Sequence, residues 1–313
     1  MNIPPVTAVE ALPAERSPAI IYLASLTAGE GRRSMASTLS QIAAMLGCSD
    51  TASCPWHELR HQHVSALRAV LAERYAPATA NKSLAAIRGV LRAAWRLELI
   101  PTESYHRAID VPPVRGARLP AGRSLEATEI RALFSVCADG TPAGARDAAA
   151  FALLFGCGLR RAEAVAVEIA DHDADTGAIR VIGKGNRERI VYATGGAKAA
   201  LDAWLTHRGV AVAGPILAPV SHFNAVHVGR GITPHSLMRR LRKRSAEAGI
   251  ARCSPHDLRR TFVSAALEAG ADLAMVQALA GHACPATTAR YDRRPETAKA
   301  ATARLVHVPF AEA

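Results

Sequence analysis

Aromatic side chains are scarce. They make up 4% of 313 residues, although hydrophobic residues as a group reach 50%. Alanine and leucine therefore fill most apolar positions, and both favour helices. The six cysteines are irregularly spaced, with no C-x-x-C pair, so neither a disulfide framework nor a zinc site is suggested. Cys157, Cys253 and Cys284 stand in or beside apolar runs and read as small core residues. No basic-then-apolar leader opens the chain. The longest apolar run, 148–159, is too short to cross a bilayer. A soluble, cytoplasmic protein without a membrane partner is expected.

Acidic residues are the minority among the charges, 27 against 38 lysines and arginines, for a net +11. Such a balance predicts a polyanionic partner, most simply nucleic acid. Three basic segments stand out. In the helical pattern opened by Pro77, residues Leu84, Ile87, Val90, Leu91, Ala94 and Trp95 face a core, while Lys82, Arg88, Arg92 and Arg96 occupy other positions. Residues 111–124, VPPVRGARLPAGRS, lack an apolar period and read as a linker whose three arginines cross a nucleic-acid backbone. A helix capped by Thr233-Pro234 turns Leu237 and Leu241 inward and fans its arginines outward. Arg239, Arg240, Arg242 and Lys243 there are candidate phosphate contacts. For any single residue of these sets, an ordinary solvated face is the competing reading.

Helical spacing before the linker comes in several blocks. One starts with Ile20 to Leu26. A second runs from Met35 to Leu46 and closes at Gly47. A third, from Trp56 to Tyr75, turns Leu59, Val64, Leu67, Val70 and Leu71 inward. After the linker, 127–138 is amphipathic and 144–155 is apolar nearly all round, a buried helix. Residues 178–193 alternate on both sides of Gly-Lys-Gly-Asn, a β-hairpin with Lys184 at its tip. A further helix covers Leu201–Arg208. Residues 209–232 are irregular, with His222 and His227 as loop residues.

The chemistry concentrates between 254 and 291, SPHDLRRTFVSAALEAGADLAMVQALAGHACPATTARY. Ser254 is a good N-cap and Pro255 suits a first turn, which puts His256 and Arg259 on one face. Asp257 occupies the capping-box position. This helix stops at Gly270, and a second follows Asp272 and stops at Gly281, leaving His282 just beyond. Pro285 restarts a helix that carries Tyr291. Earlier, in GCGLRRAEAVAV, Arg160 follows the apolar helix, and its guanidinium needs a partner: a phosphate, or Glu163.

Together these pieces resemble the tyrosine site-specific recombinases, the phage integrase family, in the Xer-like two-domain layout. The matching motifs are GLRRAEAVAV with Arg160, VIGKGNRER with Lys184, SPHDLRRTF with His256 and Arg259, LAGH with His282, and TTARYDRR with Tyr291. They stand in family order. Arg260 departs from the pattern, standing where many members have a second histidine, and Ala162 replaces a frequent serine. The resemblance implies a mainly α fold with a small β-hairpin sheet in its C-terminal part. The layout expected is a loose 1–15, a helical SAM-like core-binding domain over 16–110, the linker 111–124, an α+β catalytic domain over 125–294, and a tail, 295–313, docking on a neighbouring subunit.

The implied reaction is DNA cleavage and rejoining through a 3′-phosphotyrosyl link on Tyr291. Arg160, Arg259 and His282 would hold the nonbridging oxygens, His256 would accept or position a proton, and Lys184 would protonate the leaving oxygen. No metal, cofactor or ATP is called for. The expected partners are double-stranded DNA recombination sites, other copies in a homo-tetramer passing through a Holliday junction, and accessory DNA-bending proteins. Three rival readings remain: a type IB topoisomerase-like relaxing enzyme, a metal-dependent phosphohydrolase using His256, Asp257 and His282, and a catalytically silent DNA-binding protein.

Overall fold

The computed structural model describes residues 3–4, 12–27, 29–116, 122–183 and 186–281. Lys184, His282, Cys284, Tyr291, the helix expected after Pro285 and the tail 295–313 lie outside the described residues. The chain divides into two compact units, Met1–Pro120 and Ala121–Ala313.

The first unit is helical: α1 (Pro18–Ser25), α2 (Glu30–Met45), α3 (His61–Arg74), α4 (Pro77–Arg96) and α5 (Thr102–Ile109). Helix α4 is its spine. Leu84, Ile87, Val90, Leu91 and Ala94 recur at helical spacing and are buried against Leu39 and Ile42 of α2 and Leu67 and Leu71 of α3. Trp95, expected inward, is instead 37% exposed. Its ring stacks on Tyr105 and its indole N–H donates to the Thr102 hydroxyl, so it closes the α4–α5 corner.

The helix expected from Trp56 to Tyr75 is broken. A 3-10 turn covers Trp56–Glu58 and α3 begins only at His61. Two contacts impose the break. The buried Trp56 indole donates to the Thr51 carbonyl, and the backbone N–H of Arg60 donates to Nδ1 of His63, capping α3. The five apolar residues named for that stretch are nevertheless all buried.

The second unit contains α6 (Ala127–Ser135), α7 (Pro142–Phe155), α8 (Arg161–Ala166), strands β1 (Ala178–Ile182) and β2 (Glu188–Tyr192), α9 (Gly195–Arg208), α10 (Pro234–Glu247), α11 (Pro255–Glu268) and α12 (Leu273–Ala280). Helix α7 runs through its middle, packed on α8, α9, α10 and α11, which is why it is apolar nearly all round. The strands form an antiparallel hairpin with Ala178 opposite Tyr192 and Ile182 opposite Glu188. The fold is mainly helical with a small two-stranded sheet, as expected. Cys157 and Cys253 are buried.

Helix α9 starts at Gly195, six residues before the expected Leu201. Its glycine-rich first turns hide the pattern, but they lie against α7, where a Cβ at Gly156 would come within 2.6 Å of the Ala197 side chain. Among the described residues, no helix is long and apolar enough to cross a membrane.

The arginines of α10 do not all fan outward. Arg244 is buried, because acceptors wait for it inside. Its guanidinium bonds Asp147, Asp139, Glu247 and the Val136 carbonyl, and Asp147 also pairs with the fully buried Arg146. Removing the carboxylate shared by two buried guanidiniums costs about 3–5 kcal/mol. Asp147→Ala is therefore expected to lower the unfolding free energy of the second unit, read from urea titration, by that amount; a change below about 1 kcal/mol would show that the pairs are not coupled to folding.

Candidate active site

Helix α11 starts as its sequence dictates. The Ser254 hydroxyl accepts from the Asp257 N–H, and Oδ2 of Asp257 accepts from the Ser254 N–H at 2.9 Å. Oδ1 of Asp257 accepts from the N–H of Arg123 at 3.0 Å. Asp257 is thus a cap whose two oxygens are both committed to backbone groups. The first turn so fixed places His256 and Arg259 on the wall of a cavity of about 400 Å³, together with Arg160, Arg161, Ala162 and Met238. Arg160, His256 and Arg259, named from separate motifs, meet here.

The guanidiniums are held from the floor of the site. Arg259 is 3% exposed and donates to the carbonyls of Gly158 and Ala280. Arg160 pairs with Oε1 of Glu163 at 2.7 Å and donates to the Gly281 carbonyl at 2.5 Å. A third arginine, Arg189 of β2, donates through Nε to the Leu279 carbonyl at 2.9 Å and forks onto both oxygens of Glu163. Three successive carbonyls at the end of α12, those of Leu279, Ala280 and Gly281, are therefore each taken by a different arginine. These are groups that a helix leaves without intrahelical partners, at the negative end of its dipole. Gly281 itself is left-handed, φ 62°, and terminates α12. In the sequence the next residue is His282.

Glu163 is the counter-ion of this array. Burial works to raise its pKa, but the bonds from Arg189 and from the backbone and side chain of Arg160 prevail and pull it down to about 2. His256 moves the other way. Loss of hydration, helped by Arg260, Arg259 and Arg160 and opposed by Asp257, holds its pKa below the ordinary 6.5. Its ring is neutral at neutral pH and able to accept a proton.

Both departures from the family motif fall here. Arg260 is buried and donates to the Gly122 carbonyl at 2.7 Å. Arg123, read as a backbone-crossing linker arginine, is instead paired with Glu129 and the Ala251 carbonyl. Arg189 was missed by the sequence reading. Ile190, Val191 and Tyr192 are all apolar, so the sequence does not mark the inward face; the structure buries Val191 and exposes Ile190 and Tyr192, which puts Arg189, two residues from Val191, on the inward face.

The candidate phosphate contacts divide. Lys82 donates to the Ser34 hydroxyl, and Arg88 to the carbonyls of Val111 and Ile109, so both brace the helical unit. Arg92 is exposed beside the Tyr105 hydroxyl. On α10, Arg239, Arg240 and Lys243 line a cavity of about 300 Å³ with Ser236. Burial and the nearby Arg146, Arg244 and Arg239 push the pKa of Arg240 down, with Asp147 offsetting only part. Such a site favours an anion. Arg242 is exposed.

A family model described as the phage integrase family matches residues 123–297. The chain belongs to the phage integrase family. Among curated relatives, the tyrosine recombinase XerC of Myxococcus xanthus is 32% identical over 236 residues, 74% of this chain and 76% of the relative. XerC of Natranaerobius thermophilus is 33% identical over 245 residues, 75% and 79% respectively. Two solved structures share the fold at low identity. The Tn1549 transposon integrase in complex with transposon right-end DNA aligns with a TM-score of 0.65 at 15% identity, over 92% of this chain and 99% of that one. XerH bound to a palindromic difH substrate aligns at 0.60 and 20% identity, over 88% and 76%. This member of the family is a tyrosine recombinase.

The Glu163 array sets a pH dependence. A carboxylate held near 2 when folded, against about 4.3 when unfolded, contributes stability above that unfolded value and loses it as pH falls towards 2. Thermal midpoints of the wild type are expected to drop over that window, and Glu163→Gln to flatten this part of the curve. Parallel curves for the two proteins would contradict the array.

Proposed function

We propose that this recombinase cleaves and rejoins DNA at specific sites, exchanging strands between two of them, with the six groups Arg160, Lys184, His256, Arg259, His282 and Tyr291 around one phosphorus. The supporting observation is that Arg160, Arg259 and His256 line one cavity, with both arginines fastened to the turn that leads into His282.

A phosphodiester repels nucleophiles, so its nonbridging oxygens must be neutralised as the pentacovalent state forms. Arg160 and Arg259 supply forked donors for this, and His282 another. The Tyr291 phenol attacks phosphorus, with His256 taking its proton. As the new P–O bond forms, the bond to the 5′ oxygen breaks, and Lys184 protonates that oxygen. The products are a 3′-phosphotyrosyl protein and a free 5′-hydroxyl. Attack by a partner strand's 5′-hydroxyl reverses these steps and joins the new pair. The phosphate ester is conserved throughout, so the scheme needs no ATP, and the cationic and hydrogen-bonding side chains do the charge neutralisation that a metal would otherwise supply.

In this scheme residues 125–294 carry the chemistry and 16–110 grip the duplex. The linker 111–124 joins them, and the α10 residues Arg239, Arg240, Arg242 and Lys243 hold DNA phosphates, with Arg92 and less directly Lys82 and Arg88 from the first unit. Strand exchange between two duplexes requires four copies and a Holliday junction. The tail 295–313 is the segment assigned to join neighbouring copies, and accessory bending proteins and a cytoplasmic location fit the same task.

Tyr291→Phe is expected to bind DNA as the wild type does and to form no covalent adduct on denaturing gels; a residual adduct would move the nucleophile elsewhere. Wild-type cleavage is expected to be unchanged in EDTA. Because the pKa of His256 lies below 6.5, the cleavage rate should hold from neutral pH to below that value and fall at lower pH. His256→Gln should be slower by about 10²-fold and lack that limb. An unaltered pH profile in the variant would remove His256 from proton transfer.

A further inference from the structure

The Arg189 guanidinium occupies the point where three separate motifs converge. It lies in β2 between Glu188 and Ile190, opposite Val181, five residues after Lys184 in sequence. It forks onto Glu163 at 3.2 and 2.7 Å, and Glu163 holds Arg160. Its Nε reaches the Leu279 carbonyl, in the turn before His282. Both glycines bordering the cluster lie against this one side chain. A Cβ on Gly183 would stand 3.2 Å from Nη1 of Arg189, and one on Gly281 would stand 3.0 Å from its Cζ. The glycine of the VIGKG segment and that of LAGH therefore leave room for the same planar group. The side chain is 13% exposed and all the partners named are within the second unit.

We propose that Arg189 is a positioning residue for strand cleavage, setting the hairpin that carries Lys184 and the Arg160–Glu163 pair relative to the end of α12. This role rests on the recombinase mechanism proposed above. A lysine at 189 keeps the charge but, as a single ammonium, cannot fork onto Glu163 and reach the Leu279 carbonyl together. The groups it aligns then shift, and displacements of about 1 Å cost roughly 10²-fold in rate.

The test compares Arg189→Lys with wild type on a nicked duplex whose sequence is taken from DNA ends trapped covalently on the wild-type protein. If wild type traps no ends, the recombinase reading fails and this role fails with it. Given a cleaving wild type, Arg189→Lys should bind the duplex within about twofold and cleave it about 10²-fold more slowly. Two modified scissile positions then separate positioning from general structural damage. A 5′-bridging phosphorothiolate has a leaving group that needs no proton from Lys184, and a methylphosphonate lacks the charge that Arg160 neutralises. The gap between variant and wild type should shrink to less than about tenfold on at least one of them.

Cleavage of ordinary DNA by Arg189→Lys at the wild-type rate would overturn the proposal. So would a gap of unchanged size on both modified substrates, since a partly unfolded enzyme is slow on all three. Gly183→Ala provides a second route, because it removes no hydrogen-bonding group and its methyl stands 3.2 Å from Nη1 of Arg189 and 3.4 Å from Oε1 of Glu163. It should give the same substrate pattern with a smaller defect, and a wild-type profile there together with an unfolded Arg189→Lys would also overturn the role.

Discussion

Three guanidinium groups, one on each of three consecutive carbonyls at the end of α12, are the interaction on which the site depends. Arg189, Arg259 and Arg160 come from a strand, a helix and a helix N-terminus far apart in sequence, yet they take the carbonyls of Leu279, Ala280 and Gly281 in order. A helix end that stopped in solvent would leave these acceptors to water. Here they hold the cations in one place, at the negative pole of the helix. The same bonds fix the turn that precedes His282. Positive charge gathered for a phosphate would otherwise repel itself apart, and the buried Glu163 carboxylate, ionised far below its ordinary pKa, offsets that repulsion between Arg160 and Arg189.

Much of this site was legible in the sequence because local rules wrote it. The Ser254–Asp257 box, the Asp272 cap and the Gly281 stop each involve residues within a few positions of one another, and each forms as read. The hairpin and the buried α7 followed from alternation and from an apolar run. What was hidden depends on distant partners. Arg189 reads as one more charge in a basic hairpin until Leu279, 90 residues on, is placed beside it. Arg244 reads as one of a fan of exposed arginines until Asp139 and Asp147 are found beneath it. The break before α3 is made by one tryptophan and one histidine that a periodic pattern does not distinguish from other apolar positions.

The two units use basic residues differently. In the helical unit, Lys82 and Arg88 are drawn inward by hydroxyl and carbonyl acceptors and serve the fold. In the second unit, Arg239, Arg240 and Lys243 stay around an open cavity, where partial burial of Arg240 without a full counter-ion favours a bound anion. Net charge therefore points only towards a polyanion, while the internal acceptors decide which cations remain available to it. The departures at Arg260 and Ala162 follow the same logic: one arginine is fastened to the Gly122 carbonyl, and the alanine lines the cavity wall without bringing a polar group.

The most direct measurement is a structure of the protein on a duplex cleaved at its site, with vanadate bridging the ends as the pentacovalent phosphorus. The account predicts Arg160 and Arg259 each donating to equatorial oxygens while still holding the carbonyls of Gly281 and Ala280, with the Tyr291 oxygen in line at the apex. A phenol lying away from both guanidiniums in every subunit of that complex would contradict it.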